Sequence, residues 1–411
     1  MAFRETKRIL FFAENVTTAQ VSRLMSLAES LPADRFEVHF AAAEFSPTVF
    51  AGTSFRRHQV YSLPREQMLA SVTAGKQVYD SAVLSRYLEE EHNLLRGVRP
   101  DLVVGNFRPS LTVSAPLAGV PLATVINAHW SPFSTREAFP IPDHPTVKLV
   151  GLEVARRFLP KALPAAFSLF AKPVNGLRKK HGLSPIGDLR DVMTWGDLVL
   201  YPDTPELAPT RDAPSTHHYL GPVLWSAPVE LPVWWDELRP DRPTVYVTLG
   251  SSGSVNAWPE LARGLAGLPV NVMVATAGRI PKSQLPPSFY AVELIPGAEA
   301  VGRADLVITN GGSGSSYQAL ADATPVIGVA SNLDQHLAME AVVNAGAGSL
   351  LRAGNLTEHD VRVAVTRMLD SEAHADAARR VSARMASWDA HGRFVNLVER
   401  TLRAPDALAT G

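Results

Sequence analysis

Glycines and hydroxyl residues follow an apolar run at 305–309 and precede a short helical pattern at 317–321. The residues between them are Asn310, Gly311, Gly312, Ser313, Gly314 and Ser315. Three glycines within four positions let the backbone turn tightly and approach a ligand closely. A helix that starts after such a loop offers free N–H groups and a partial positive charge, so the pattern predicts a diphosphate site, with a plain tight turn as the alternative.

A carboxylate and an amide follow the next apolar run, which covers residues 325–330. They are Asp334 and Gln335. The carboxyl ends of parallel strands meet at one edge of a sheet, and ligands collect there. We therefore expect this pair to lie at the same sheet edge as the glycine loop. The alternative for Asp334 is a helix N-cap, for a helix that begins at His336.

The spacing of these two patterns resembles the C-terminal signature of the family 1 glycosyltransferases, which use nucleotide sugars. The signature reads HGGxGTxxEAL, then GxPxxxxPxxxDQxxNA, then GxG. Its positions are met by Gly311, Gly312, Gly314, Ala319, Leu320, Pro325, Asp334, Gln335 and Gly346 to Gly348. The chain departs from the signature at Asn310 for His, Ser315 for Thr and Gln318 for Glu. The branch implied is the bacterial one that glycosylates natural products such as macrolides.

The resemblance implies a donor site for a nucleoside-diphosphate sugar, of UDP or dTDP type, which serves as co-substrate with no cofactor and no metal. Backbone N–H groups of residues 310–315 would stabilise the leaving diphosphate, with Gly250 and Ser251 approaching from another strand end. The resemblance assigns Asp334 and Gln335 to the sugar hydroxyls. It places the nucleobase over Leu294 and Ile295, where many relatives have a stacking tryptophan.

The catalytic base is where the chain departs most from the family. Inverting transfer to a hydroxyl usually needs a general base, most often histidine. The family's His and its orienting Asp align with Gln20 and Asn106, and an amide cannot take up a proton at neutral pH. Two other candidates are His129 and Glu14. Each is predicted to come just after a strand, and thus to lie at the carboxyl edge of the sheet.

An acidic acceptor, such as a phenol, carboxylate or phosphate, offers another explanation because it needs little help from a base. A third is that the protein is a catalytically impaired auxiliary protein that binds nucleotide sugars. We predict an active inverting transferase because both donor motifs are intact. An epimerase that acts on sugar nucleotides in the same fold is a further alternative, although such enzymes lack the Asp-Gln pattern.

Composition sets broader limits. The chain has 411 residues, a formal net charge of -1 and 46% apolar residues, so nucleic acid is not an expected partner. It contains no cysteine, which excludes disulfides and thiol catalysis. The only apolar run near the N-terminus, residues 9–13, is too short for a signal peptide. We expect a cytoplasmic protein, and the composition does not indicate an oligomeric state.

Strand and helix patterns alternate in two blocks, which predicts an α/β protein with two doubly wound, Rossmann-like domains. The resemblance implies the GT-B fold, in which the two domains face each other across a cleft. We predict an N-terminal acceptor domain at 1–223, a proline-rich linker at 224–243 and a C-terminal donor domain at 244–389. In the family, a final helix, here about 390–411, packs back on the N-terminal domain.

The region from His129 to Gly182 has little periodicity and contains seven prolines. Its apolar residues favour an acceptor that is an apolar small molecule or lipid-like, such as a polyketide. Residues 151–170 also combine apolar and basic side chains, so weak membrane association through an interfacial helix is an alternative. We favour helices around an acceptor pocket because Pro160 and Pro164 are expected to interrupt an amphipathic face.

Overall fold

A computed structural model describes residues 6–14 and 16–403, apart from the side chains of residues 145, 146 and 148. The chain divides into two compact units. The first consists of the residues up to Glu137, Lys161–Val223 and the residues from Trp388 on. The second consists of Ala138–Pro160 and Leu224–Ser387.

The first unit contains a seven-stranded sheet in which every pair of neighbouring strands is parallel. Its strands are β1 (Lys7–Ala13), β2 (Phe36–Ala42), β3 (Arg56–Gln59), β4 (Leu102–Asn106), β5 (Leu122–Val125), β6 (Leu198–Tyr201) and β7 (His217–Tyr219). Residues 9–13 of β1 are fully buried, as expected for a strand in the middle of a parallel sheet. The strand order β3-β2-β1-β4-β5-β6-β7 reverses between β1 and β4.

The helices of the N-terminal half alternate with these strands. They are α1 (Thr18–Glu29), α2 (Arg65–Thr73), α3 (Ser81–Val98), α4 (Leu111–Ala118), α5 (Pro145–Val150), α6 (Leu152–Lys180) and α7 (Leu189–Met193). The final helix α14 (Ala390–Arg403) also belongs to the first unit. Phe394 on α14 is fully buried and its ring lies 6.2 Å from that of Phe11, so the end of the chain contributes to this core.

The second unit contains a six-stranded parallel sheet with the order β10-β9-β8-β11-β12-β13. Its strands are β8 (Thr244–Thr248), β9 (Asn271–Ala275), β10 (Tyr290–Val292), β11 (Leu306–Thr309), β12 (Val326–Ala330) and β13 (Gly348–Arg352). Its helices are α8 (Trp258–Leu265), α9 (Gly297–Gly302), α10 (Ser313–Ala321), α11 (Leu333–Asn344), α12 (Glu358–Leu369) and α13 (Glu372–Met385). The strand order reverses between β8 and β11, where ligands bind in open α/β sheets.

The unit boundaries differ from the predicted domains at two segments. Residues 138–160 were predicted within the N-terminal domain, but they pack with the second unit. The segment 224–243 also belongs to the second unit, where the Trp225 carbonyl accepts a hydrogen bond from Gln318 Nε2 at 3.1 Å. Chain order alone could not show either placement, because both depend on contacts between residues far apart in sequence.

The helix α6 corrects our interpretation of residues 129–182. It continues for 29 residues and includes both Pro160 and Pro164, which were expected to interrupt an amphipathic face. Buried side chains on α6, among them Phe167 and Ala171, pack into the core and offset the hydrogen bonds that proline removes. Phe158 on the same helix remains 60% exposed. Membrane association through this helix stays a prediction.

Gly221 allows a test of how the C-terminal segment packs against the rest of the first unit. Its φ is 96°, and a Cβ added there would overlap Cβ of Trp388. We expect Gly221→Ala to lower the free energy of unfolding by about 2–4 kcal/mol, through backbone strain and overpacking together. Urea denaturation would measure this change.

Gly119 is the matched control, because its φ is 66° and a Cβ would meet nothing within 4 Å. Gly119→Ala should cost only about 1–2 kcal/mol. Equal effects of the two substitutions would mean that the contact with Trp388 does not contribute.

Candidate functional site

The glycine loop lies where the strand order of the second sheet reverses, and it leads directly into α10. Gly312 is the N-cap, so the helix begins at Ser313, four residues earlier than predicted. Gly314 and Ser315 therefore lie in the first turn, where backbone N–H groups have no acceptor within the helix. Gly311 has a φ of 80°, and a Cβ there would lie 2.8 Å from Met339 Cγ, so only glycine fits.

Side chains of the loop satisfy part of its backbone. The Gly311 N–H donates to Thr309 Oγ1 at 2.8 Å, and the Gly312 N–H donates to Asn310 Oδ1 at 3.0 Å. The first-turn N–H groups of α10, rather than these two, are thus positioned to bind a diphosphate. Asn310 is buried and its Nδ2 donates to Ser252 Oγ at 3.1 Å. In this structure Asn310 joins two loops, and the diphosphate contact predicted for it stays a prediction.

The loop after β8 contains Gly250 and Ser251, both partly exposed. Gly250 has a φ of 55°, and its carbonyl accepts a hydrogen bond from Arg279 Nη1 at 3.1 Å. The same nitrogen donates to the Gly253 carbonyl at 2.8 Å. Sequence reasoning missed Arg279 because its residue type and position match no motif. It fixes the shape of this loop beside the N-terminus of α10.

The pair Asp334-Gln335 lies in the first turn of α11, and neither residue is the N-cap. Asn332 is the N-cap, since its side chain accepts from the Gln335 N–H at 3.0 Å, while Gln335 Oε1 accepts from the Asn332 N–H at 3.3 Å. This reciprocal capping box gives Gln335 a structural role and overturns the N-cap alternative for Asp334, while the sugar contact of Asp334 stays a prediction. The spacing Asn-x-x-Gln was a sequence signal for it.

Part of Gln335 is still available for a ligand. The side chain is 2% exposed, and its Nε2 has no hydrogen-bond partner among the described residues. A buried amide donor left unsatisfied costs free energy, so such atoms often mark a place where a ligand or water binds. Asp334 on the same turn is only partly buried. The structure thus brings these two residues together at the sheet edge, as predicted.

Leu294 and Ile295, the predicted nucleobase contacts, follow β10 at the same edge. Ile295 is buried with 4% of its surface exposed, whereas Leu294 is partly exposed. Hydrogen bonds from the Thr276 and Ala277 N–H groups to the Val292 and Glu293 carbonyls join this segment to the loop after β9. Leu294 thus offers an apolar contact surface beside a fixed backbone.

In the first unit, the carboxyl edge of the sheet carries a buried ion cluster. Glu14 follows β1, and Arg108 follows β4. Arg108 Nη1 donates to Glu14 Oε1 at 3.1 Å and Arg108 Nε donates to Glu91 Oε1 at 2.6 Å, with all three side chains fully buried. Glu14 therefore lies at the predicted strand end but points into the core. A role for Glu14 as a base would require this buried, paired carboxyl group to become accessible, and it stays a prediction.

The charge balance of this cluster determines the protonation of Glu14. Two carboxylates face one guanidinium in a region without solvent. Burial is the largest cause that raises the pKa of Glu14 to about 7; the charge of Glu91 adds to the increase and that of Arg108 opposes it. Protonation of Glu14 makes the cluster neutral, while Glu91 also accepts from the Ser110 and Ser114 hydroxyls.

His129 lies on a short 3-10 turn, Ala128–Trp130, after β5. Its side chain is 3% exposed, so it is a buried histidine rather than one at an open edge. The turn is fixed by Asp203, which accepts from the Asn127 amide at 2.8 Å and from the Ala128 N–H at 2.7 Å. A role for His129 as base would require this turn to move, and it stays a prediction.

The two amides at the family's catalytic positions have different environments. Gln20 is the third residue of a capping box with Thr17, whose N–H donates to Gln20 Oε1 at 3.3 Å. Asn106 is fully buried at the end of β4, and neither of its side-chain polar atoms has a partner in the described part of the chain. Gln20 thus supports α1, and the assignments of Gln20 and Asn106 to the catalytic positions stay predictions.

The residue after Asn106 is strained. Phe107 has a φ of 53°, which is uncommon for a large side chain, and its carbonyl accepts from the Tyr79 hydroxyl at 3.1 Å.

The described residues contain no cluster of three acidic or histidine side chains suited to a metal. No helix within 6–14 and 16–403 is long and apolar enough to cross a membrane.

Comparison with known proteins decides the family. Residues 263–397 match the family described as "Erythromycin biosynthesis protein CIII-like, C-terminal domain". Over 402 residues the chain is 43% identical to the PGL/p-HBAD biosynthesis rhamnosyltransferase of Mycobacterium bovis (strain BCG / Pasteur 1173P2), with 97% of this chain and 88% of that protein covered. The chain belongs to the family 1 glycosyltransferases. The recognition of the family from its donor motifs is thereby confirmed.

Two further matches bear on this glycosyltransferase. The "Inactive PGL/p-HBAD biosynthesis glycosyltransferase" of the same strain is 43% identical over 251 residues, which are 61% of this chain and 68% of that protein. The solved structure "Spinosyn Rhamnosyltransferase SpnG complexed with thymidine diphosphate" has a TM-score of 0.69 and 17% identity, and covers 95% of this chain and all of that one. The second likeness confirms the GT-B fold.

The Glu14 cluster predicts a pH dependence of stability. Because the folded-state pKa of Glu14 is raised from 4.5 to about 7, folding favours its protonated form. That contribution is present below about pH 4.5 and is lost as the pH rises through 7, by about 3 kcal/mol. Glu14→Gln keeps the neutral form at every pH. We expect the variant to gain stability relative to the wild type between pH 5 and pH 8, as measured by urea unfolding.

Glu91→Gln is the control, because it removes the carboxylate that accepts from Arg108 and two serines. It should destabilise the glycosyltransferase at pH 5 and at pH 8 alike. A difference between Glu14→Gln and wild type that stays constant from pH 5 to pH 8 would contradict the raised pKa.

Proposed function

We propose that this glycosyltransferase moves a deoxyhexose of the rhamnose type from a dTDP- or UDP-linked donor to a hydroxyl group of an apolar small-molecule or lipid-like acceptor, with inversion at the anomeric carbon. The acceptor oxygen forms a bond to that carbon as the bond to the diphosphate breaks, the nucleoside diphosphate leaves with the electron pair, and the acceptor's proton passes to solvent water. The 43% identity to a rhamnosyltransferase over nearly the whole chain supports the sugar class. The first turn of α10 carries the donor side of the proposal.

The donor chemistry needs no metal in this proposal. The leaving diphosphate gains negative charge as the sugar departs, and the first-turn N–H groups of α10 offer donors and a positive helix end. Arg279 and Asn310 hold the two neighbouring loops in shape. The nucleobase of the donor contacts Leu294 and Ile295. Thymidine diphosphate bound in a structure of the same fold supports the dTDP form of the donor.

The burial, helix-capping contacts and residue types of the candidate bases favour an acceptor that is itself acidic. Glu14 and His129 are buried, Gln20 caps a helix and Asn106 is an amide. A phenol loses its proton far more easily than an aliphatic alcohol, so it reacts with less help from a base. We therefore propose a phenolic hydroxyl as the acceptor group. Asn106, buried without a partner, is suited to contact that oxygen.

The experiment compares two acceptors of similar shape, a 4-alkylphenol and the corresponding 4-alkylcyclohexanol. With purified protein and dTDP-rhamnose, we expect dTDP release and a glycosylated phenol, and release at least about tenfold slower with the cyclohexanol. UDP-glucose serves as a second donor. Equal rates with both acceptors would mean that a base operates, and His129→Ala would then test that residue.

Other outcomes favour the alternatives. Donor binding by calorimetry without turnover would favour a catalytically impaired auxiliary protein, a possibility made concrete by the relative named as inactive. Isomerised donor in the absence of an acceptor would favour an epimerase.

The sugar contact of Asp334 gives a separate prediction. Asp334→Ala should raise the donor KM or lower kcat by the equivalent of about 1–3 kcal/mol, because sugar hydroxyls lose a charged acceptor in the site. Steady-state kinetics with dTDP-rhamnose would measure the change. Asn332→Ala is the control for α11 itself and should cost about 1 kcal/mol of stability. Full activity of Asp334→Ala would remove this residue from the donor site.

A further inference from the structure

The segment 139–144, which we call the strap, lies between β5 and β6 in sequence but packs on the carboxyl edge of the second sheet. Asp143 pairs with Arg352 at the end of β13, with Oδ1 2.6 Å from Nη2. Asp143 Oδ2 accepts from the Gly354 N–H at 2.6 Å. Arg352 also donates to the Ile141 and Pro142 carbonyls, at 2.6 and 3.0 Å. One arginine thus binds both the backbone and the carboxylate of the strap.

The strap connects directly to the turn that carries the proposed sugar contacts. The Asp143 N–H donates to the Ser331 carbonyl at 2.7 Å. Ser331 in turn donates from its N–H and its hydroxyl to Gln335 Oε1, at 2.9 and 3.0 Å. A continuous chain of hydrogen bonds therefore runs from the strap to Gln335. Its other side-chain atom, Nε2, is the buried donor without a partner among the described residues.

The Asp143–Arg352 pair is well suited to hold a fixed geometry. The exposed fractions of the two side chains are 10% and 23%, so solvent screens their attraction less than that of a surface pair. The pKa of His336, the residue after Gln335, is lowered to about 4, first by burial and then by the charge of Arg352. This second cause places the guanidinium charge close to the first turn of α11.

We propose that Asp143 and Arg352 are positioning residues for the donor sugar, holding the Ser331–Gln335 turn through the strap. The proposal rests on the proposed function. The strap bonds to residues that follow β12 and β13, whereas the diphosphate loop follows β11. Loss of the strap contact should therefore weaken binding of the sugar moiety and leave binding of the nucleoside diphosphate nearly unchanged.

Calorimetry with dTDP-rhamnose and with dTDP separates these effects. For Asp143→Ala we expect about a tenfold weaker Kd for dTDP-rhamnose, with the Kd for dTDP within about twofold of wild type. Asp143→Asn keeps the size and one acceptor and should recover part of the loss. Arg352→Lys keeps the charge but cannot bind two carbonyls and a carboxylate together, so it should behave like Asp143→Ala.

Arg362→Ala is the matched control, because Arg362 pairs with Glu358 on the exposed side of α12 in the same unit. It should leave both Kd values unchanged. Equal weakening of dTDP and dTDP-rhamnose, or no weakening of either, would overturn the proposal. If Asp143→Ala does not fold, Asp143→Asn and Arg352→Lys give the same comparison. Failure of the wild type to bind dTDP-rhamnose would instead contradict the proposed function.

Discussion

The structure of the donor unit depends on how the N-terminus of α10 is kept available. A helix start exposes N–H groups that need partners, and the loop before it adds further polar groups in a confined space. Here Thr309 and Asn310 satisfy the N–H groups of Gly311 and Gly312 from within the loop. The first turn of α10 follows directly on this loop. Asn310, which stands at the position of the family's histidine, stabilises the loop by hydrogen bonds and carries no charge.

A glutamine closes the capping box of a helix at two places in this protein. Gln335 closes the capping box of α11 with its oxygen, and its nitrogen remains without a protein partner. Gln20 closes a similar box on α1. A glutamine has an acceptor and a donor on one planar group, so one end can hold the helix while the other faces a ligand. In Gln335 this division leaves the donor nitrogen buried and without a partner among the described residues, which is the observation behind the proposed sugar contact.

The N-terminal unit uses its charged residues mainly for structure. The carboxylate that follows β1 is neutralised by Arg108, and the residues that follow β5 are held by Asp203. A buried cluster with an odd number of charges is stable only if one group takes up a proton or an ion joins it. Burial is the largest cause of the raised pKa of Glu14, and the charge of Glu91 adds to it. Because these groups are held in structural contacts, we proposed an acceptor that is itself acidic.

The sequence by itself determined the α/β class, the two sheets, the glycine loop and the Asp334-Gln335 pair. Strand periodicity and glycine spacing are local, and the family signature fixes their order. The capping boxes at Thr17 and Asn332 depend on equally local patterns and could have been predicted from the sequence.

Only the tertiary structure decided which side chains are buried and which distant segments meet. Glu14 follows its strand as expected, yet its carboxylate turns inward because Arg108, 94 residues away, supplies the opposite charge. The strap reaches β13 through Arg352, and α6 remains helical across two prolines because packing compensates for the lost hydrogen bonds. Such contacts depend on three-dimensional neighbours, which periodicity and spacing along the chain do not specify.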